Sequence, residues 1–178
     1  VDNIILADTD PNYRVLDLSV NTFNDSYVSY HHKTIGGYSP VKLQRYQDLI
    51  ERYITGEIHH FYDVIENAET VSGVQENMPE LKVISMLNGR YIILGGEYPP
   101  VVNTHAYGNA WFVSGFVPAA TPDDEIALLA STDLKTTAVI GDDFKSAQEA
   151  ISGLQAANPD ATSGEVGETP CITLTHYA

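Results

Sequence analysis

One cysteine, Cys171, occurs in 178 residues. That scarcity excludes an intrachain disulfide and any zinc or iron–sulfur site built on cysteines. Basic residues are also few: nine Lys plus Arg face 24 Asp plus Glu, a formal net charge of −15. Neutralising nucleic-acid phosphates takes clustered Lys and Arg, so no nucleic-acid partner is expected. No apolar run approaches the ~18 residues of a membrane helix, and Val1 to Asp10 lacks a signal-peptide pattern. There is no internal repeat, heptad or low-complexity tract. What remains is a chain with 43% apolar residues, eleven Tyr, five Phe and one Trp, which argues for a folded core despite the acidity. A chain of this length buries roughly 70% of its unfolded surface. It is expected to form a single soluble domain over 1–178, or a helix-rich half 1–95 followed by an α/β half 96–178.

The acidity is uneven. Residues 1–54 carry a net −2, residues 55–120 a net −5 and residues 121–178 a net −8. From Ser26 to Gln47 there is no Asp or Glu, while Lys33, Lys42, Arg45, His31 and His32 are interleaved with Tyr27, Tyr30, Tyr38 and Tyr46. Such a local positive field in an acidic protein is where an anion or polar ligand would be met. The other reading is a chance gap in the acids, with the tyrosines used for packing.

Periodicity places the elements. Tyr13 to Val20 alternates as a strand, and Asn21 to Tyr38 reads as a long ordered loop of the kind that often carries function. Ser39 and Pro40 are a cap and first-turn pair for a helix over Val41–Ile54. Gly56 is a stop signal, and Ile58, Phe61, Tyr62 and Ile65 start a second helix, so the pair is expected as a hairpin or corner. Val71 to Asn77 reads as loop, Pro79 to Leu87 as a short helix, Asn88–Gly89 as a turn and Tyr91–Leu94 as a buried strand. Val101–Val102 and Ala110–Val117 suggest two more strands. Thr121-Pro122-Asp123-Asp124 is a capping pattern for a helix ending near Ser131. Thr136–Ile140 reads as a strand, Phe144, Ala147, Ile151 and Leu154 as a helix stripe, Asn158–Pro170 as loop and Ile172–Tyr177 as a last strand. The mixture implies an α+β fold, with a mixed, mostly antiparallel sheet and four to five helices packed on it.

Reaction motifs are missing. His31–His32 and His59–His60 are adjacent pairs, and neighbours on a helix diverge by ~100°, so His59 and His60 do not match metal-ligand spacing. No G-x-S-x-G or cysteine–histidine signature is present, and neither Gly36–Gly37 nor Gly95–Gly96 leads into a phosphate-binding helix start. No catalytic residue, metal site or cofactor is therefore assigned. The candidate ligand-binding set is Tyr30, His31, His32, Lys33, Gly36, Gly37, Tyr38, Lys42 and Arg45. His32 and Lys33 are donors for phosphate or carboxylate, Tyr30 and Tyr38 are platforms for a sugar ring, and Gly36–Gly37 permits close backbone approach. Lys42 and Arg45 would complete a cationic rim. Alternatively, the glycines make a turn and Lys33 pairs with one of the many acids.

The run Tyr13-Arg14-Val15-Leu16, the stretch Asn21-Thr22-Phe23-Asn24-Asp25, the block from Ser29 to Tyr38 (SYHHKTIGGY) and the block from Lys42 to Leu49 (KLQRYQDL) resemble the YfhO family of bacterial polytopic membrane proteins. Met86-Leu87-Asn88, Arg90-Tyr91-Ile92-Ile93 and Gly108-Asn109-Ala110-Trp111-Phe112-Val113 extend the resemblance, which runs from Pro11 to Tyr177. It implies an extracytoplasmic domain, excised from a larger protein and tethered by membrane helices outside this chain. Family members look like glycosyltransferases that use lipid-linked sugars to modify cell-envelope polymers. Their catalytic acid is expected in an early loop not contained here, so no catalytic residue carries over. The implied role is non-catalytic positioning of an envelope glycan or polyprenyl-phosphate sugar. The alternative is a scaffold for the membrane portion of the same protein. Two departures stand out: Gly89 replaces an apolar residue of the family pattern, and relatives continue beyond the strand Ile172–Tyr177, which would leave that strand free to pair between molecules.

Overall fold

The computed structural model describes residues 1–10 and 12–157. The expected loop Asn158–Pro170 and strand Ile172–Tyr177 lie outside the described residues. The chain divides into two compact units, Val1–Asn109 and Ala110–Ala178. The boundary falls at 109/110 rather than at 95/96 because Val101–Val102 pairs with a strand of the first unit and Asn103 is buried there. Its amide donates to Ser85 Oγ at 3.0 Å and to the Gly89 carbonyl at 2.9 Å.

In the first unit, α1 (Asp2–Leu6) precedes β1 (Arg14–Asp17). After a single 3-10 turn, Val28–Tyr30, come α2 (Gln44–Leu49), a π-helical turn (Ile50–Ile54), α3 (Thr55–Glu66), α4 (Val71–Glu76) and α5 (Lys82–Met86). The sheet is completed by β2 (Gly89–Ile93) and β3 (Val101–Val102) in the order β1-β2-β3. Both faces of this small sheet are covered. Leu16 and Ile92 join Ile50, Ile54, Ile58, Phe61, Leu81 and Ile84 in one core, whereas Val15, Tyr91 and Ile93 join Ile5, Tyr13 and Val28 in another. The period-two alternation of a strand sends adjacent residues to opposite faces, so four-residue β1 supplies both cores.

In the second unit, β4 (Gly115–Ala119), α6 (Pro122–Ser131) and β5 (Thr137–Gly141) form a strand–helix–strand unit, followed by a 3-10 turn (Asp142–Phe144) and α7 (Lys145–Ala157). The capping box is present as the sequence predicts. Thr121 Oγ1 accepts from Asp124 N–H at 3.1 Å, and the Asp124 carboxylate accepts from Thr121 N–H at 3.1 Å. Trp111 Nε1 donates to the Leu134 carbonyl at 3.0 Å, and Gln148 Nε2 joins α7 to the Ile140 carbonyl at 3.0 Å.

The α+β class holds, and strand directions are mixed. The balance of directions needs correcting: among the described residues, β1–β2 and β4–β5 are parallel and β2–β3 is antiparallel. Parallel neighbours need a long crossover, and here α2–α5 and α6 supply it. The helices differ from expectation in four places. Ser39–Pro40 forms a turn in which Ser39 Oγ accepts from Val41 N–H at 3.3 Å, and the helix starts at Gln44 with Leu43 as its cap. Val41 and Leu43 are exposed, so an earlier turn would bury nothing. Gly56 does not stop the helix. Thr55 keeps helical dihedrals of −60° and −43°, and the buried series Ile50, Ile54, Ile58, Phe61 runs straight across. Its burial outweighs the ~1 kcal/mol that a mid-helix glycine costs. Val71–Glu76 is helix rather than loop, because Thr70 Oγ1 caps Gly73 N–H at 3.1 Å and Val74 is buried. Phe144 lies in the 3-10 turn and is exposed, ahead of the α7 stripe.

Two glycines give opposite expectations. A Cβ on Gly89 would lie 2.5 Å from Ile35 Cδ1, 2.6 Å from Ile84 Cγ2 and 3.0 Å from the Ile84 carbonyl, whereas one on Gly56 meets nothing within 4 Å. Gly89→Ala is expected to lower stability by about 1–3 kcal/mol. Gly56→Ala should raise it by about 0.5–1 kcal/mol. Urea titrations followed by far-ultraviolet circular dichroism check both.

Candidate functional site

The acid-free segment is anchored to β1. Val15 N–H donates to the Lys33 carbonyl at 2.8 Å, and Ile35 N–H donates to the Val15 carbonyl at 3.0 Å, so Thr34 bridges Val15 in parallel sense. Thr34 Oγ1 donates to the same Val15 carbonyl at 3.1 Å and accepts from Gly36 N–H at 3.0 Å. Tyr46, from the first turn of α2, donates its hydroxyl to the Ile35 carbonyl, and burial pushes that phenol's pKa upward.

The two glycines serve this anchoring. Gly37 N–H donates to the Thr22 carbonyl at 2.7 Å, and a Cβ on Gly36 would sit 2.0 Å from that same oxygen. Gly37 has φ +116°, a region that side chains rarely adopt. The close backbone approach expected at Gly36–Gly37 is thus made to Thr22. Thr22 is itself held by Oγ1 donating to the Asp17 carbonyl at 2.8 Å.

His32 is also turned inward. It is buried, its Nε2 lies 2.9 Å from Asp2 Oδ1, and its ring stands 6.4 Å from those of Tyr13 and His31. This pair ties α1 to the loop. The His32 hydrogen bond holds the Asp2 carboxyl below its usual pKa of 3.8, against a smaller opposing effect of burial.

The remaining candidates face solvent. Tyr30 is 81% exposed and Tyr38 61%, and His31, Lys33 and Arg45 are exposed as well. His31 packs against the edge of Tyr27, with ring centroids 5.5 Å apart. Lys42 is half-buried, with Nζ 5.5 Å from the centre of the Phe23 ring. Lys33 and Arg45 also interact within the chain. The structure therefore separates the nine candidates into an anchoring group (His32, Gly36, Gly37), an intermediate Lys42, and an outward group of two phenols, an imidazole and two cations. The outward group can donate hydrogen bonds to anionic oxygens and offer aromatic faces to a ring.

Sequence reasoning overlooked a second polar cluster. Tyr91 donates its hydroxyl to Asp8 Oδ2 at 2.6 Å, while Arg90 reaches Asp8 at 3.5 Å and Asp10 at 3.3 Å. Asp10 N–H donates to Asp8 Oδ1 at 3.0 Å. The Tyr91 bond, then the Asp10 amide, holds Asp8 below the ordinary carboxylate value. Burial, then the Asp8 bond, pushes Tyr91 up to about 12. Both groups keep their charge states through neutral pH, so the cluster is a lock between the α1–β1 connection and β2 rather than an acid–base pair. The Asp8-Thr9-Asp10 spacing, set beside Arg90-Tyr91, was its only sequence signal. Among the described residues, no group of three or more His, Cys, Asp or Glu side chains is placed to hold a metal ion. No helix among them is long and apolar enough to cross a membrane.

Comparison with protein-family models, curated proteins and solved structures finds no match to this chain.

Asp2 and Asp8 both have folded-state pKa values lowered from 3.8. Their stabilising contribution is full above that value and is lost as the pH falls below it, through the lowered values. Urea midpoints measured from about pH 6 down to about pH 2 should fall on acidification. The fall should be shallower in Asp2→Asn and Asp8→Asn, which start from lower stability.

Proposed function

We propose that this chain is an extracytoplasmic domain of a YfhO-like membrane protein and that it works by binding rather than by catalysis. In this reading, segment 27–46 positions an envelope glycan or polyprenyl-phosphate sugar for glycosylation of cell-envelope polymers, and membrane helices of the same protein tether the domain. The observation that carries the reading is the outward presentation of Tyr30, Tyr38 and Lys33 on a segment whose backbone is pinned to β1. Packing these side chains inside the fold would have favoured a purely structural loop. A pinned backbone reduces the ordering cost of binding, exposed phenols offer stacking faces, and cations match a phosphate or an acidic sugar. The absence of Asp and Glu from Ser26 to Gln47 removes local repulsion toward such a ligand.

A second reading is supported by the inward group. His32, Gly36 and Gly37 serve the fold, which fits a scaffold domain that docks onto the membrane portion of its own protein. Calorimetric titration with polyprenyl-phosphate sugars in detergent and with soluble envelope glycans separates the two. The ligand reading expects a saturable signal that Tyr38→Ala or Lys33→Ala weakens by about fivefold each, the magnitude of one stacking or charge-assisted contact. If no such compound gives saturation, the ligand reading falls and the scaffold reading stands.

A further inference from the structure

The most exposed apolar side chains of the first unit lie close together in sequence. Between the turn at Ser39–Pro40 and the start of α2, Val41 is 84% exposed and Leu43 77%. Tyr38, two residues before the proline, is exposed too. Aliphatic side chains standing this far out of a loop bury nothing in the fold and lower the solubility of the surface that carries them. Lys42 lies between them, and Arg45 follows as the second residue of α2. No carboxylate occurs between Asp25 and Asp48, and Asp48 Oδ1 accepts from the Gln44 amide at 2.7 Å.

We propose that the tip Tyr38–Arg45 docks on the surface of an anionic lipid bilayer. Charge complementarity argues for this occupant. The chain carries −15, yet this segment lies in a 22-residue window, 26–47, that contains three cations and no acid. An anionic plane would repel the acidic surfaces of the protein, whereas Lys42 and Arg45 would be drawn to it when this tip faces it. The side-chain chemistry agrees. Tyrosine favours the headgroup level, short aliphatics enter the acyl boundary, and a lysine can lay its stem along apolar surface with its ammonium in the headgroups. Self-association through the tip would bring Lys42 and Arg45 of one copy against those of another, which disfavours a second copy as the occupant. Two aliphatic side chains and a phenol make a weak, reversible contact that depends on salt. The inference goes beyond the ligand reading and does not rest on it, because it requires no sugar.

The test is co-sedimentation of the full chain with vesicles of phosphatidylcholine alone or mixed equally with phosphatidylglycerol. The expected result is partition onto the mixed vesicles that raised salt reverses and that is absent on phosphatidylcholine alone. The double variant Val41→Asp/Leu43→Asp should reduce that partition by about tenfold or more. Both sites are exposed, and Leu43 has the extended backbone of a helix cap, which an aspartate accepts, so the fold is retained. Phe144→Asp, at an exposed apolar site of the second unit, should bind as the parent does. The proposal is overturned if the intact chain ignores the mixed vesicles, if the double variant binds undiminished, or if Phe144→Asp loses binding equally. It is also overturned if light scattering shows a dimer that the double variant dissolves. Because the vesicles contain no sugar lipid, failure here leaves the titrations with glycans and polyprenyl-phosphate sugars to be judged separately.

Discussion

The first unit hangs on the backbone of β1, which is hydrogen-bonded along both edges. Toward β2, Arg14 N–H donates to the Asn88 carbonyl at 2.9 Å, and just beyond the strand Leu18 N–H donates to the Ile93 carbonyl at 2.9 Å. Toward the loop, Val15 uses both its N–H and its carbonyl on Lys33 and Ile35. These four residues thus lie between β2 and the Thr34 bridge, with Val15 and Leu16 facing different cores and peptide groups shared between two neighbours. Buried peptide groups must find partners, so the loop is as obligatory a neighbour as β2. Displacing it would strand the polar groups of Val15, a fully buried residue, inside the protein.

That constraint explains why the candidate segment is both ordered and exposed. Its anchoring residues, Thr34 to Gly37 and Tyr46, satisfy backbone partners, and Tyr30, His31, Lys33, Tyr38 and Arg45 are left to face water. Charge is arranged in the same spirit. Where the loop meets α1, the buried imidazole of His32 has a carboxylate partner in Asp2; where β2 meets the α1–β1 connection, Arg90 has Asp8 and Asp10. Glu57 plays a comparable part inside the helical core. Its carboxylate accepts from Val83 N–H at 2.7 Å and Ile84 N–H at 2.9 Å at the start of α5, and burial raises its pKa against the pull of those two amides.

Local signals were the legible ones. The capping box at Thr121 and the end of α6 at Ser131 follow from residues within one turn of each other, and β5 and β2 follow from short runs of branched and aromatic residues. Longer-range decisions were not legible. The direction of β1–β2 depends on how α2–α5 cross over, and the continuation through Gly56 depends on a core that no single window displays. In the segment 27–46, the missing acids and the run of tyrosines marked the stretch as unusual, while whether the tyrosines faced solvent or packed inside was left open by the sequence. The partners of its inward residues could not be anticipated. Asp2 and His32 are distant in sequence, and the pressure of the Thr22 carbonyl on Gly36 leaves no trace in a Gly-Gly dipeptide.

The parallel pairing of β1 with β2 also sets an order of assembly. Arg14–Asp17 can find Gly89–Ile93 only after a long intervening stretch has been closed, and the entropy of that closure is recovered only when the Leu16–Ile92 core is in place. The helical layer from Gln44 to Met86 shortens the effective loop and has local contacts of its own, so it is suited to form first and present its apolar face to the strands. In the second unit, Gly115 meets Thr137 across little more than α6, a much shorter closure. Among the described residues, the parallel pairing of the first unit therefore closes the longer loop, and by topology that closure is the slower of the two.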